Sequence, residues 1–217
     1  MASFTSPFLV RFYEAFCEKK RLFIVTEYAK LGDLSNLIEW RRKKNRPLPE
    51  TTIWRFLVQL LEGLRVLHSC GVVHRDLKSA NILLSAPDLI KIGDLGISTV
   101  LHNTQLAKTQ IGTPMYIAPE VWKKKPYDQK CDIWSLGILL YEMMTFNFPF
   151  NGRTTDELAY CVFRGKYVIP TGYSSDLVSI LTRMLQLDPN QRPSVNEILE
   201  LPSVQARLDM IIPTLSK

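Results

Sequence analysis

The chain has 217 residues, 46% of them hydrophobic and 22% charged, and carries a net charge of +6. That balance belongs to a globular protein of one large domain or two small ones, with residues enough for a sizeable core, and excludes a low-complexity chain. The basic residues are scattered, so nucleic acid is not an expected partner. Four widely spaced cysteines (Cys17, Cys70, Cys131, Cys161) and three histidines argue against a zinc site or a disulfide scaffold and for a reducing compartment.

In chain order, MASFTSPFLVRFYEAF lacks the basic segment and apolar core of a signal peptide. RLFIVTEY (21–28) is β-rich and predicts a strand. Gly32 then supplies a turn, and Asp33 is placed to cap a short helix holding Leu34, Leu37 and Ile38. The basic run Arg41-Arg42-Lys43-Lys44, with Arg46, reads as a solvated helix end. PLPE opens a longer helix with Ile53, Leu57, Leu60, Leu61, Leu64 and Leu67 at helical spacing, and Gly71 falls just past its end. VVH, ILLS and LIKIGD are short strand-like pieces. LGISTVLHNTQLAKTQIGTPM (95–115) is polar, aperiodic and long enough to expect function in it. IWSLGILLYEMMTF is apolar nearly all round, which predicts a central buried helix. It is too short for a membrane span and carries Glu142, so no membrane is expected. Residues 156–164 and 176–186 predict amphipathic helices, and Ser194 with Glu197 forms a capping box. Strands early and helices late suggest an α+β fold.

The chemistry concentrates in HRDLKSAN (74–81). A carboxylate (Asp76), an ammonium two residues on (Lys78) and an amide five residues on (Asn81) can share one loop face. Phosphoryl transfer needs those types: a proton acceptor for a hydroxyl, a cation for the moving phosphate and a hard oxygen for Mg²⁺. Asp94 offers a second hard oxygen, and Gly96 gives the backbone freedom to turn. Each residue alone would pass for a turn residue or a surface charge.

HRDLKSAN, DLG (94–96) and APE (118–120), in that order, resemble the signature of a protein kinase, and the resemblance covers nearly the whole chain. Lys78 and GTPMYIAPE look like the serine/threonine type. The AKTxxGTPxYxxPE run and the leucine of DLG look closest to the NIMA-related kinases. The resemblance implies ATP and Mg²⁺ as cofactors and transfer of the γ-phosphoryl group to protein serine or threonine hydroxyls. Asp76 would be the base, Lys78 would contact the γ-phosphate, and Asn81 and Asp94 would hold Mg²⁺. Thr113 would sit between the base and the substrate-binding segment. Thr26 would be the gatekeeper, the backbone of Glu27 and Ala29 would pair with the adenine edge, Asp33 would reach the ribose and Leu83 would pack under the adenine. His74 would support the loop against Leu95, which replaces the commoner phenylalanine. Asp132 would hold the loop backbone, and Glu120 would pair with Arg192. Arg75 beside Asp76 suggests control by a phosphate, with Thr109 the first choice and Thr104 and Thr113 behind it. Protein substrates, an upstream kinase or self-activation, and a cytoplasmic place with cytoskeletal or nuclear association open are the further implications.

No G-x-G-x-x-G and no V-A-I-K precede RLFIVTEY. By the resemblance, residues 1–29 would be the remnant of a smaller N-terminal lobe, 30–208 the helical C-lobe and 209–217 a short tail. The expectation is therefore a fragment lacking the glycine-rich loop and the phosphate-binding lysine. The alternative is a non-catalytic C-lobe binding module or pseudokinase-type scaffold.

Overall fold

A computed structural model describes residues 6–94 and 114–215. Its elements run β1 (Phe12–Glu18), β2 (Arg21–Thr26), α1 (Leu34–Lys43), α2 (Glu50–Ser69), β3 (Ile82–Ala86), β4 (Leu89–Ile92), α3 (Pro119–Trp122), α4 (Lys130–Thr145), α5 (Thr155–Arg164), α6 (Ser175–Met184), α7 (Val195–Leu199) and α8 (Pro202–Leu215). The class is α+β, with two separate antiparallel strand pairs, β1–β2 and β3–β4.

A two-stranded pair by itself is marginally stable at best in water. The β3–β4 pair is backed by α2, and Ile82, Leu84, Ile90 and Ile92 join the core with the apolar face of that helix. Gln59, fully buried in α2, fastens the hairpin. Its Nε2 donates to the Asp88 carbonyl at 2.8 Å, and its Oε1 accepts the Ile90 N–H at 2.9 Å. The β1–β2 pair is different: all seven residues of β1 and five of six in β2 are exposed, with Phe16 stacked on Phe23 across the strands. RLFIVTEY forms a strand only as far as Thr26.

The core lies between α2 and α4. Every residue from Cys131 to Met144 is buried, as an all-round apolar helix requires. Gly137 lets α4 approach the end of α6, since a Cβ there would lie 2.8 Å from Leu185 Cδ2. At the far end of α2, Gly71 adopts φ +72°. Its N–H reaches the His68 carbonyl at 3.0 Å and the Val72 N–H reaches Leu67 at 3.0 Å, a Schellman ending. This is why VVH is not a strand. Its N–H groups serve the helix end and, at His74, a buried carboxylate rather than a neighbouring strand. Among the described residues, no helix is long and apolar enough to cross a membrane, and all four cysteines are free.

Glu50 joins two helix N-termini distant in sequence. Its carboxylate accepts the Ser174 N–H at 2.9 Å and the Trp54 Nε1–H at 3.0 Å, and the Ser174 hydroxyl also donates to it. Burial pushes this carboxyl up, but those donors and Arg207 outweigh it and hold it below its ordinary value of 4.5. A depressed folded value means the stabilisation is present above pH 4.5 and fades as pH falls through the folded value. Glu50→Gln is expected to cost about 1–3 kcal/mol at neutral pH. It should also flatten the acid limb of stability against pH, as urea titrations from pH 7 down to 3 would show.

Candidate active site

The loop between α2 and β3 is built around a carboxylate it does not contain. Asp132, in the first turn of α4 and fully buried, accepts the His74 N–H on Oδ2 at 2.8 Å and the Arg75 N–H on Oδ1 at 2.9 Å. The His68 ring Nε2 lies 2.9 Å from the same Oδ2. Two charge-assisted bonds to consecutive N–H groups hold the chain where Arg75 turns through φ +70°. The His74 ring continues the frame. Its Nδ1 accepts the Asp76 N–H at 3.3 Å, so the proton sits on Nε2, which donates to the Gly93 carbonyl at 2.9 Å.

Asp76 follows this turn, half-buried. Its Oδ2 accepts Lys78 Nζ at 2.7 Å and Asn81 Nδ2 at 3.0 Å, and the same amide nitrogen reaches the Asp76 carbonyl at 2.8 Å. A 3-10 turn over Ser79–Asn81 allows this by folding Asn81 back over Asp76. With its nitrogen so engaged, Asn81 is left with its amide oxygen to offer. The Gly93 N–H donates to the Asn81 carbonyl at 2.8 Å, so Asp94, exposed and at φ +54°, directly follows a residue bonded to Asn81. An amide oxygen and a carboxylate are hard donors of the kind Mg²⁺ takes. Among the described residues, no group of three His, Cys, Asp or Glu side chains could hold a metal by itself.

Thr26 ends β2, exposed. The Glu27 N–H donates to the Arg11 carbonyl at 2.8 Å, and its carboxylate takes Lys91 Nζ at 2.8 Å. Burial of Glu27 is outweighed by the Lys91 and Arg11 hydrogen bonds, which hold its carboxyl below the usual range. Ala29 is half-buried. Asp33 caps α1, accepting the Asn36 N–H and Nδ2–H at 2.8 Å each. Asp33 also bridges to Leu83 on β3, and Leu84 exchanges backbone bonds with Gly32 (2.9 Å) and Leu31 (3.1 Å). The 26–33 segment and the Asp76 loop thus meet across β3.

Arg75 is exposed, with its guanidinium 5.7 Å from the Tyr127 ring centre. Glu120 and Arg192 form a bidentate pair with both bonds at 2.7 Å. Leu95, Thr104, Thr109 and Thr113 lie outside the described residues. Sequence reasoning missed the cluster of Ser79, Tyr116 and Glu142 beneath the loop, and the Glu27–Lys91 pair. Glu142 carries a signal, a carboxylate in an otherwise apolar stretch of helix, but helical spacing does not name its partners.

The chain is similar in sequence to known proteins. The protein kinase domain family matches residues 1–204. The chain is 42% identical over 207 residues to serine/threonine-protein kinase Nek2 of Homo sapiens, covering 91% of this chain and 46% of that protein. It is 41% identical over 202 residues to serine/threonine-protein kinase Nek5 of Homo sapiens (92% and 28%). It is 42% identical over 195 residues to serine/threonine-protein kinase Nek8 of Danio rerio (89% and 28%). Across such relatives the chain spans from 18% to 52% of their length.

Proposed function

This chain belongs to the protein kinase domain family, and from that premise we propose that it carries the catalytic loop of a serine/threonine protein kinase. The reaction moves the γ-phosphoryl group of ATP to serine or threonine hydroxyls of protein substrates. One observation carries this reading: Lys78 and Asn81 both contact Asp76 in a loop held by buried Asp132.

Asp76 takes the proton of the attacking hydroxyl. Lys78, 2.7 Å away, offsets charge on the moving phosphate. Asn81 and Asp94 would hold Mg²⁺, which would supply positive charge against the charge developing on the phosphates. The backbone of Glu27 and Ala29 meets the adenine edge, with Thr26 as gatekeeper, Asp33 at the ribose and Leu83 beneath the base. The Glu27 N–H is already engaged, so its carbonyl is the group left for the nucleotide. By the family pattern, Thr113 would act between the base and the substrate-binding segment. Phosphate on Thr109, from an upstream kinase or self-transfer, would meet the exposed Arg75. Residues 1–29 belong to the smaller lobe, 30–208 to the helical lobe and 209–217 to a tail, in a protein of the cytoplasm with cytoskeletal or nuclear association open.

A second reading, a non-catalytic binding module, is favoured by the exposed aromatic strands β1 and β2. The test joins the chain to the glycine-rich loop and lysine strand of a Nek relative and incubates the folded product with ATP, Mg²⁺ and a mixed peptide library. Transfer to serine and threonine but not tyrosine, abolished by a chelator, is the expected result. A joined protein that shows a cooperative thermal transition yet neither binds Mg·ATP by calorimetry nor transfers phosphate would favour the second reading.

A further inference from the structure

We infer that Ser79 is a positioning residue for the Asp76 loop, tying the turn between Lys78 and Asn81 to a buried tyrosine–carboxylate pair formed by Tyr116 and Glu142. This rests on the reading of the loop as a phosphoryl-transfer site.

The three residues come from three parts of the fold: the Ser79–Asn81 turn, the Pro114–Tyr116 turn and the centre of α4. They are 4%, 6% and 7% exposed, so each is largely shielded from solvent. Ser79 Oγ donates to Glu142 Oε1 at 3.1 Å, and the Tyr116 hydroxyl donates to Glu142 Oε2. The Ser79 N–H faces the Tyr116 oxygen at 3.4 Å, and the two hydroxyl oxygens lie 3.1 Å apart. With the carboxylate ionised, the protons have one consistent assignment. Each hydroxyl gives its single proton to a different oxygen of Glu142, and the phenol oxygen is left to accept the Ser79 N–H. Ser135 Oγ completes the anchorage, donating to the Tyr116 carbonyl at 3.0 Å from the same helix.

The arrangement has a direct consequence for the loop. Asp132 holds the chain before Asp76, at His74 and Arg75. Ser79 holds it after Lys78. Asp76 and Lys78 thus lie between two anchors that both belong to α4, the most completely buried helix described. Burial pushes the Glu142 carboxyl up and the Tyr116 and Ser79 donors offset this in part, so deleting a donor weakens the anchor itself. A buried acceptor that loses its partner costs far more than an exposed one.

The experiment is residue-resolved amide hydrogen exchange on the full chain, with steady-state kinetics beside it on the chain joined to a relative's glycine-rich loop and lysine strand. In Ser79→Ala, the amides of Ser79 and Asn81 are expected to exchange about tenfold faster, while those of His74 and Arg75, held by Asp132, keep their rates. Tyr116→Phe removes the other hydroxyl and should reproduce the pattern, so the inference does not hang on one variant folding. In the kinetics, kcat falls about tenfold with KM for ATP unchanged, because the nucleotide edge is untouched. Unchanged exchange at Ser79 and Asn81, or a uniform rise across the loop, overturns the inference, as does an unaltered kcat. The exchange pattern needs no catalysis. A chain that shows it, while the joined protein transfers no phosphate, keeps the anchor and loses the phosphoryl-transfer reading.

Discussion

Asp76→Asn is expected to abolish phosphoryl transfer without unfolding the chain. The amide has nearly the volume of the carboxylate and keeps an oxygen to accept Asn81 Nδ2 or Lys78 Nζ, which now lie 3.0 and 2.7 Å away. It cannot take a proton at working pH. General-base contributions run to about 10²–10⁴-fold, and loss of the negative charge also leaves Lys78 without its ionic partner. Stability should change little. The Asp76 and Lys78 side chains are 33% and 20% exposed, and partly solvated pairs contribute of order 1 kcal/mol or less. The loop's main anchors, Asp132 and Ser79, are untouched. The measurement is kcat at saturating ATP for the chain joined to a relative's glycine-rich loop and lysine strand, beside the thermal midpoint of the chain. Activity within tenfold of the parent chain would remove Asp76 from the role of base.

Glu120→Gln should be the most destabilising single change at the far side of the site. Both terminal nitrogens of Arg192 donate to Glu120 at 2.7 Å, and the Arg192 side chain is fully buried. Its remaining donors are already committed, to the carbonyls of Gln186 (2.7 Å), Lys130 (3.1 Å) and Leu187 (3.2 Å), and the guanidinium lies 5.0 Å from the Trp134 ring centre. A glutamine leaves that cation in the core with no counter-charge, at a cost of about 3–5 kcal/mol. For a chain of this size the thermal midpoint should fall by roughly 6–20 °C. Arg192→Met should cost a similar amount by stranding the carboxylate. The double change Glu120→Leu with Arg192→Met should be milder than either, because no unpaired charge remains. A loss below about 1 kcal/mol for Glu120→Gln would contradict the account. The pair matters to the site because Glu120 lies four residues beyond Tyr116, so it locks the segment that carries one side of the Ser79 anchor.

The α+β class, the long helix α2 with its glycine ending, the buried helix α4 and the caps at Asp33 and Ser194 were all legible in the sequence. These features depend on neighbours within a turn or two of chain, where helical spacing and cap chemistry act. The grouping of a carboxylate, an ammonium and an amide in HRDLKSAN was legible for the same reason. Only the tertiary structure decided what holds that loop. Asp132 is 57 and 58 residues from its N–H partners, Ser79 is 63 from Glu142, Glu27 is 64 from Lys91, and Glu50 is 124 from Ser174. Local pattern cannot choose among such partners, because a buried polar group takes whichever donor the packed helices bring to it. It could not foresee the exposure of β1 and β2 either. RLFIVT has the composition of a covered strand, but burial is a property of what packs against a strand, and nothing among the described residues covers this one.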